Sequence, residues 1–146
     1  NTDGQVVVSG KKDSVQKLSE NITIKKKKGI FLPVSAPFHC ALMAPAADVM
    51  AEALADVKMV APAVPLIANV TASAQNDVNE IRQLLVEQVT GMVRWRESVL
   101  YMKENGVDTL VEIGAGKVLT GLARRIDRDL SGVAVGTPEG IEAFLA

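Results

Sequence analysis

Residues 32–43 read LPVSAPFHCALM and hold the only histidine and the only cysteine of the chain, side by side at His39 and Cys40. An imidazole near neutral pH can take a proton from a hydroxyl, ligate a metal or serve as a hydrogen-bonded structural group. Metal ligation has little to build on here, because no second histidine and no cysteine pair could share the ion. A thiol nucleophile at Cys40 would need the imidazole to face it, which chain neighbours rarely do, so a small buried cysteine is the simpler expectation. For His39 two readings stay open: a general base, or a satisfied histidine at the rim of the core.

A base needs an acceptor for its other ring N–H, to fix the tautomer and to stabilise the imidazolium that forms. Aspartate commonly serves. A backbone carbonyl at a helix C-terminus serves as well, since the last carbonyls lack helical donors and carry the negative end of the dipole. One such helix end is legible: Asp77 can cap a helix that runs to about Thr90 and stops at Gly91. Gln88 lies in its last turn on the stripe of Ile81, Leu84 and Leu85, an odd place for an amide, and two readings stay open: it serves the imidazole, or it merely closes the helix end or bonds a neighbour.

The stretch EIGAGKVLTG at residues 112–121 places glycines between a strand and a helix, the setting of an anion site. Its spacing does not suit a nucleotide. Gly114 and Lys117 stand too close for a phosphate loop, no Ser or Thr follows Lys117, and the third glycine of G-x-G-x-x-G is missing. Tight strand-to-helix packing is the expectation. Lys25, Lys26, Lys27 and Lys28 form a run that reads as a solvated loop or strand edge, or as a dock for an acidic partner.

These residues need a scaffold. Residues 5–9 read as a strand, residues 13–22 as a helix with Val15, Leu18 and Ile22 on one face, and residues 29–34 (GIFLPV) as a second strand, together a small β-α-β piece. A helix follows over residues 42–57, striped by Leu42, Ala46, Val49, Met50, Ala53, Leu54 and Val57, with Pro45 tolerable only in its first turn. A Pro-bracketed loop enters a short buried strand at residues 66–69. Beyond the Asp77 helix, residues 95–105 read as a helix ended by Gly106, and DTLVEIGAGKVLTGLARRI as strand, turn and helix. Residues 133–135 give a last strand, and Thr137-Pro138 starts the terminal helix. Strands alternating with helices, each a short apolar run, imply an α/β fold with a parallel sheet covered on both faces.

A hydrophobic fraction of 48% with 23% charged residues fits a globular domain able to bury a core, and 3% aromatic content builds that core from Ala, Val, Leu, Ile and Met. A net charge of −1, with no aromatics among the lysines, excludes nucleic acid as the main partner. The single cysteine excludes an internal disulfide. No apolar run of membrane length and no signal-peptide pattern is present, so a cytoplasmic setting without a membrane partner is expected, and the Asn-x-Thr sequons at Asn21 and Asn69 are expected to be chance. The chain opens on Asn1-Thr2-Asp3-Gly4 with no Met, which suggests a piece of something longer.

Together GQVVVSG, LPVSAPFHCALMAPAADVM, PLIANVTA, VRWRESVLYM and VEIGAGKVLTGLARRI closely resemble the C-terminal half of bacterial malonyl-CoA:acyl-carrier-protein transacylase, in the order and spacing of that family. The resemblance runs from Asn1 to about Ile126 and is loose beyond Asp127. It implies a ping-pong acyl transfer in fatty acid biosynthesis: a serine takes malonyl from coenzyme A and passes it to the phosphopantetheine thiol of acyl carrier protein, with no cofactor. It implies His39 as the general base, the backbone carbonyl of Gln88 as the group that orients it, and Phe38 as a bulky residue crowding out branched substrates. The family's Gly-His-Ser-x-Gly nucleophile elbow, its malonate-binding arginine and its Gly-Gln-Gly-Ser oxyanion segment are not in this sequence, and Ser9, Ser35 and Ser98 lack the strand-turn-helix context of a nucleophile. The chain is therefore expected to hold the base half of a site, to be inactive alone and to need the N-terminal half as a partner.

The family's fold implies an α/β-hydrolase-like large part, here residues 34–146, and a ferredoxin-like small part whose C-terminal remnant would be residues 1–33, with open strand edges. Two other readings compete: an acyltransferase domain cut from a polyketide or fatty acid synthase, and a non-catalytic module that holds a carrier protein or a phosphate with its lysines and glycine turn.

Overall fold

The computed structural model describes residues 1–146. Its elements run α1 (Lys12–Ile24), a 3₁₀ turn (Ala41–Met43), α2 (Ala44–Ala55), β1 (Leu66–Ile67), β2 (Ala74–Gln75) and α3 (Val78–Thr90). There follow α4 (Trp95–Glu104), β3 (Thr109–Ile113), α5 (Val118–Ile126), β4 (Ser131–Val135) and α6 (Pro138–Leu145). The mixture of helix and sheet is that of an α/β chain. It divides into two compact units, Val7–Val93 and Asn1–Val6 with Arg94–Ala146.

In the first unit the helices follow the sequence closely. Pro45 stands at the start of α2, where its missing N–H costs nothing. Asp77 opens α3 by accepting from the N–H groups of Asn79 and Glu80, each at 2.9 Å, and Gly91 follows its last residue. Ile81 and Leu84 are buried on the inner face of α3, which packs against α2. Burying such side chains stabilises by about 1.5–3 kcal/mol each. Arg82 ties the same helix to the end of α2 by donating to the Val57 carbonyl at 2.8 Å.

The strand expectations need correction. Residues 5–9 and 29–34 are not strands: the first holds only an isolated bridge between Thr2 and Gln5, and in the second Val34 N–H turns back on the Leu32 carbonyl at 2.8 Å. A strand is stable only when its backbone is paired. These segments find no strand to pair with, and apolar side chains in them stay open, Val6 at 81% and Ile30 at 69% exposure. The β-α-β piece is therefore absent. The strand expected at residues 66–69 shortens to β1 and pairs antiparallel with β2, an element the sequence reading did not contain, in the register Leu66 to Gln75 and Ile67 to Ala74.

In the second unit the parallel expectation holds. β3 and β4 pair in parallel from Thr109 opposite Ser131 to Ile113 opposite Val135, and α5 packs on both strands as their crossover. Val99, Leu122, Ala123, Leu130 and Val135 are its buried apolar residues. Helix α4 ends in a Schellman motif: Gly106 at φ 87° donates to the Lys103 carbonyl and Val107 to that of Met102. Thr137 caps α6 by accepting from Gly140 N–H at 3.1 Å.

Because one carboxylate satisfies two orphan donors at the start of α3, Asp77→Ala should lower unfolding free energy by about 0.5–2 kcal/mol. Urea titration of the two forms followed by circular dichroism measures it; equal midpoints would remove Asp77 from the account of how α3 is held.

Candidate functional site

His39 lies in the loop between the bend at Ser35 and Ala36 and the 3₁₀ turn, with its backbone in the left-handed region at φ 58°. That conformation costs a residue with a Cβ about 1–2 kcal/mol. It persists where the surroundings fix it, and such residues collect at functional sites. The loop puts the imidazole on the end of α3: His39 Nδ1 stands 3.0 Å from the backbone oxygen of Gln88.

This oxygen is free for the purpose. Glu87, one residue earlier, gives its carbonyl to Gly91 N–H at 2.8 Å, whereas Gln88 is the first residue of α3 whose carbonyl looks for its helical donor beyond the break at Gly91. A carbonyl oxygen only accepts, so Nδ1 carries the hydrogen of that contact. In the neutral ring Nε2 is then the bare nitrogen.

The side chain of Gln88 turns elsewhere. Its Oε1 accepts from Asn69 Nδ2 at 3.2 Å, which explains an amide on an otherwise apolar stripe. Sequence reading missed Asn69, because a contact across nineteen residues leaves no local pattern. Phe38 is 46% exposed beside His39 in the chain. The Cys40 thiol is half-buried and donates to the Pro37 carbonyl at 3.1 Å, so it does not face the imidazole as a thiolate–imidazole pair would. Ser98 is buried within α4 and donates to the Arg94 carbonyl at 2.9 Å, an ordinary helical contact. No group of three or more His, Cys, Asp or Glu side chains stands close enough to share a metal ion.

The helix start that follows the glycine turn is occupied by the chain itself. Glu112 of β3 reaches the N-terminus of α5, where its carboxylate accepts from Leu119 N–H at 3.1 Å, Thr120 N–H at 2.8 Å and the Thr120 hydroxyl at 2.7 Å. The positive end of the helix that a phosphate would use already holds an internal anion. The Thr120 N–H first, then its hydroxyl, hold the Glu112 carboxyl below its ordinary value. A signal for this was present in the sequence, an acidic residue at the end of a strand just ahead of a helix start.

No family model matches the chain. Its sequence is 42% identical over 146 residues to the malonyl CoA-acyl carrier protein transacylase of Escherichia coli K12, across 99% of this chain and 47% of that protein. It is 41% identical over 143 residues to the enzyme of that name from Bacillus subtilis 168, across 97% of this chain and 45% of the relative. Among solved structures, the acyl-carrier-protein-S-malonyltransferase of Bartonella henselae superposes with a TM-score of 0.87 at 54% identity, over 93% of this chain and 44% of that one. A malonyl-transacylase solved in complex with its type II polyketide synthase acyl-carrier protein superposes at 0.84 with 40% identity, over 92% of this chain and 44% of that one. The chain thus spans about half the length of the curated relatives it matches.

The Glu112 tie predicts a pH dependence. A carboxylate whose folded value is lowered stabilises the fold fully above its ordinary range, and that contribution is lost as pH falls through the lowered value. The stability gap between wild type and Glu112→Gln should therefore be widest near neutral pH and close on acidification. Thermal melts of both across pH 2–7 measure it, and a gap indifferent to pH would contradict the assignment.

Proposed function

We propose that this chain, a relative of the malonyl CoA-acyl carrier protein transacylases over about half their length, supplies the general-base half of their acyl-transfer site. Its similarity to those enzymes along 99% of its own sequence supports the reaction class. The contact of His39 Nδ1 with the Gln88 carbonyl supports the assignment of roles. In this reading the nucleophilic serine belongs to residues outside the chain, and the relatives are about twice as long. The apolar side chains left open, such as Ile113 at 80% exposure, would be covered by that remaining half. Residues 34–146 would form the α/β-hydrolase-like part and residues 1–33 the end of a ferredoxin-like part.

The chemistry follows from the tautomer. Nε2 of His39 takes the serine proton as the serine oxygen attacks the malonyl thioester carbonyl, and the imidazolium so formed is held by the Gln88 carbonyl and the end of α3. As the carbon–sulfur bond breaks, the ring returns the proton to the departing coenzyme A thiolate. The second half reverses the sequence: the ring takes a proton from the phosphopantetheine thiol of acyl carrier protein, that thiol attacks the serine ester, and the serine recovers its hydrogen. No further cofactor is needed for these steps. Phe38 would limit the space beside the base and favour malonyl over branched groups. The free thiol of Cys40 fits a reducing cytoplasm.

The test is single-turnover acylation by malonyl-CoA in the full-length protein. His39→Ala should slow it by about 100-fold or more, the usual worth of a general base. Gln88→Ala keeps the backbone oxygen and loses one neutral hydrogen bond, so it should stay within about 12-fold of wild type. Unchanged acylation in His39→Ala returns that residue to a structural role, and a loss near 100-fold in a folded Gln88→Ala means that the side-chain amide was the orienter.

A further inference from the structure

The carbonyl that faces His39 is only as well placed as the last turn of α3, and helix ends fray. Two contacts, both from the turn that joins β1 to β2, hold this one. Asn69 Nδ2 donates to Gln88 Oε1 at 3.2 Å. Next to it, Val70 lies against Gly91 so closely that a Cβ on the glycine would meet Val70 Cγ2 at 3.4 Å and the Glu87 oxygen at 2.9 Å.

The turn is closed by its own backbone hydrogen bonds. Ala68 and Ala72 are buried at its two ends, Ala72 N–H donates to the Ala68 carbonyl at 2.8 Å, and Ala72 sits in the left-handed region at φ 53°. Ala68 N–H closes the loop on the Ser73 carbonyl at 3.3 Å. The amide of Asn69 is thus presented by a hydrogen-bonded turn. A hydrogen bond from it restrains the one residue whose own backbone oxygen meets the imidazole.

From this geometry we infer that Asn69 is a positioning residue of the acyl-transfer site: through the Gln88 side chain it fixes the carbonyl that sets the tautomer and direction of His39. The inference rests on the general-base reading of His39. It requires that Asn69 act on acylation only by way of Gln88. It should change the rate of serine acylation at saturating malonyl-CoA and leave the substrate concentration for half-maximal rate in place, because Asn69 has no contact with substrate in this role.

The experiment is a double-mutant cycle in the full-length protein, read by single-turnover acylation over a range of malonyl-CoA concentrations, with a thermal melt of each variant. Asn69→Ala should lower the saturating rate by about 2- to 12-fold, the worth of one neutral hydrogen bond. Gln88→Ala should do the same, and the double variant should be no slower than either single one. Asn69→Asp should restore most of the rate, since the Gln88 amide can turn its nitrogen to the new carboxylate. Asn69→Ser, too short to reach Gln88, is the second loss variant if alanine lowers the melt. Additive losses, or a loss that Asn69→Asp does not rescue, would overturn the inference, as would an unchanged rate in Asn69→Ala. His39→Ala in the same assay separates the two claims: its failure to slow acylation sinks the general-base reading, whereas a slow His39→Ala beside a normal Asn69→Ala sinks the role of Asn69 alone.

Discussion

A backbone oxygen at the end of a helix can only accept, and much of what this chain offers as a site follows from that. At 3.0 Å from His39 Nδ1 the Gln88 carbonyl decides which ring nitrogen carries the hydrogen. The opposite nitrogen is left bare. No carboxylate has to be buried to achieve this, so the site avoids the desolvation that an aspartate orienter brings. What it requires instead is a helix that stops in the right place and a loop that brings the imidazole to it.

Both requirements are met by local chemistry. Asp77 starts α3, and Gly91, pressed between Val70 and the Glu87 carbonyl, marks where it ends. Thirteen residues separate those limits and leave the Gln88 oxygen as the first whose helical donor would lie beyond Gly91. On the other side, His39 accepts a left-handed backbone that few side chains adopt. Histidine tolerates that region better than branched residues do. The strain at residue 39 and the cap at residue 77 are thus two ends of one arrangement.

Helices proved legible because their signals are local: Pro45, Asp77, Gly106 and Thr137 each act within a few residues of where they stand. The parallel pair of β3 and β4 was legible for a related reason, since a strand, a glycine turn, a helix and a strand in succession leave one right-handed crossover. The strands read at residues 5–9 and 29–34 failed because sequence reports the capacity to pair and not the presence of a partner. The hairpin of β1 and β2 escaped notice for the opposite reason: its turn, Ala-Asn-Val-Thr-Ala-Ser, has no Gly or Pro to mark it. Of the site, His39 and Gln88 stood out by scarcity and by misplaced polarity. Asn69 did neither, and only its place in three dimensions joins it to them.

The chain holds one imidazole, so its protonation can be read without assignment ambiguity. Long-range ¹H–¹⁵N correlation of the labelled chain, taken with the ring neutral, measures the tautomer directly. A single form with the hydrogen on Nδ1 and a bare Nε2 is expected. A spectrum dominated by the Nε2–H form, or an even mixture of the two, would contradict it.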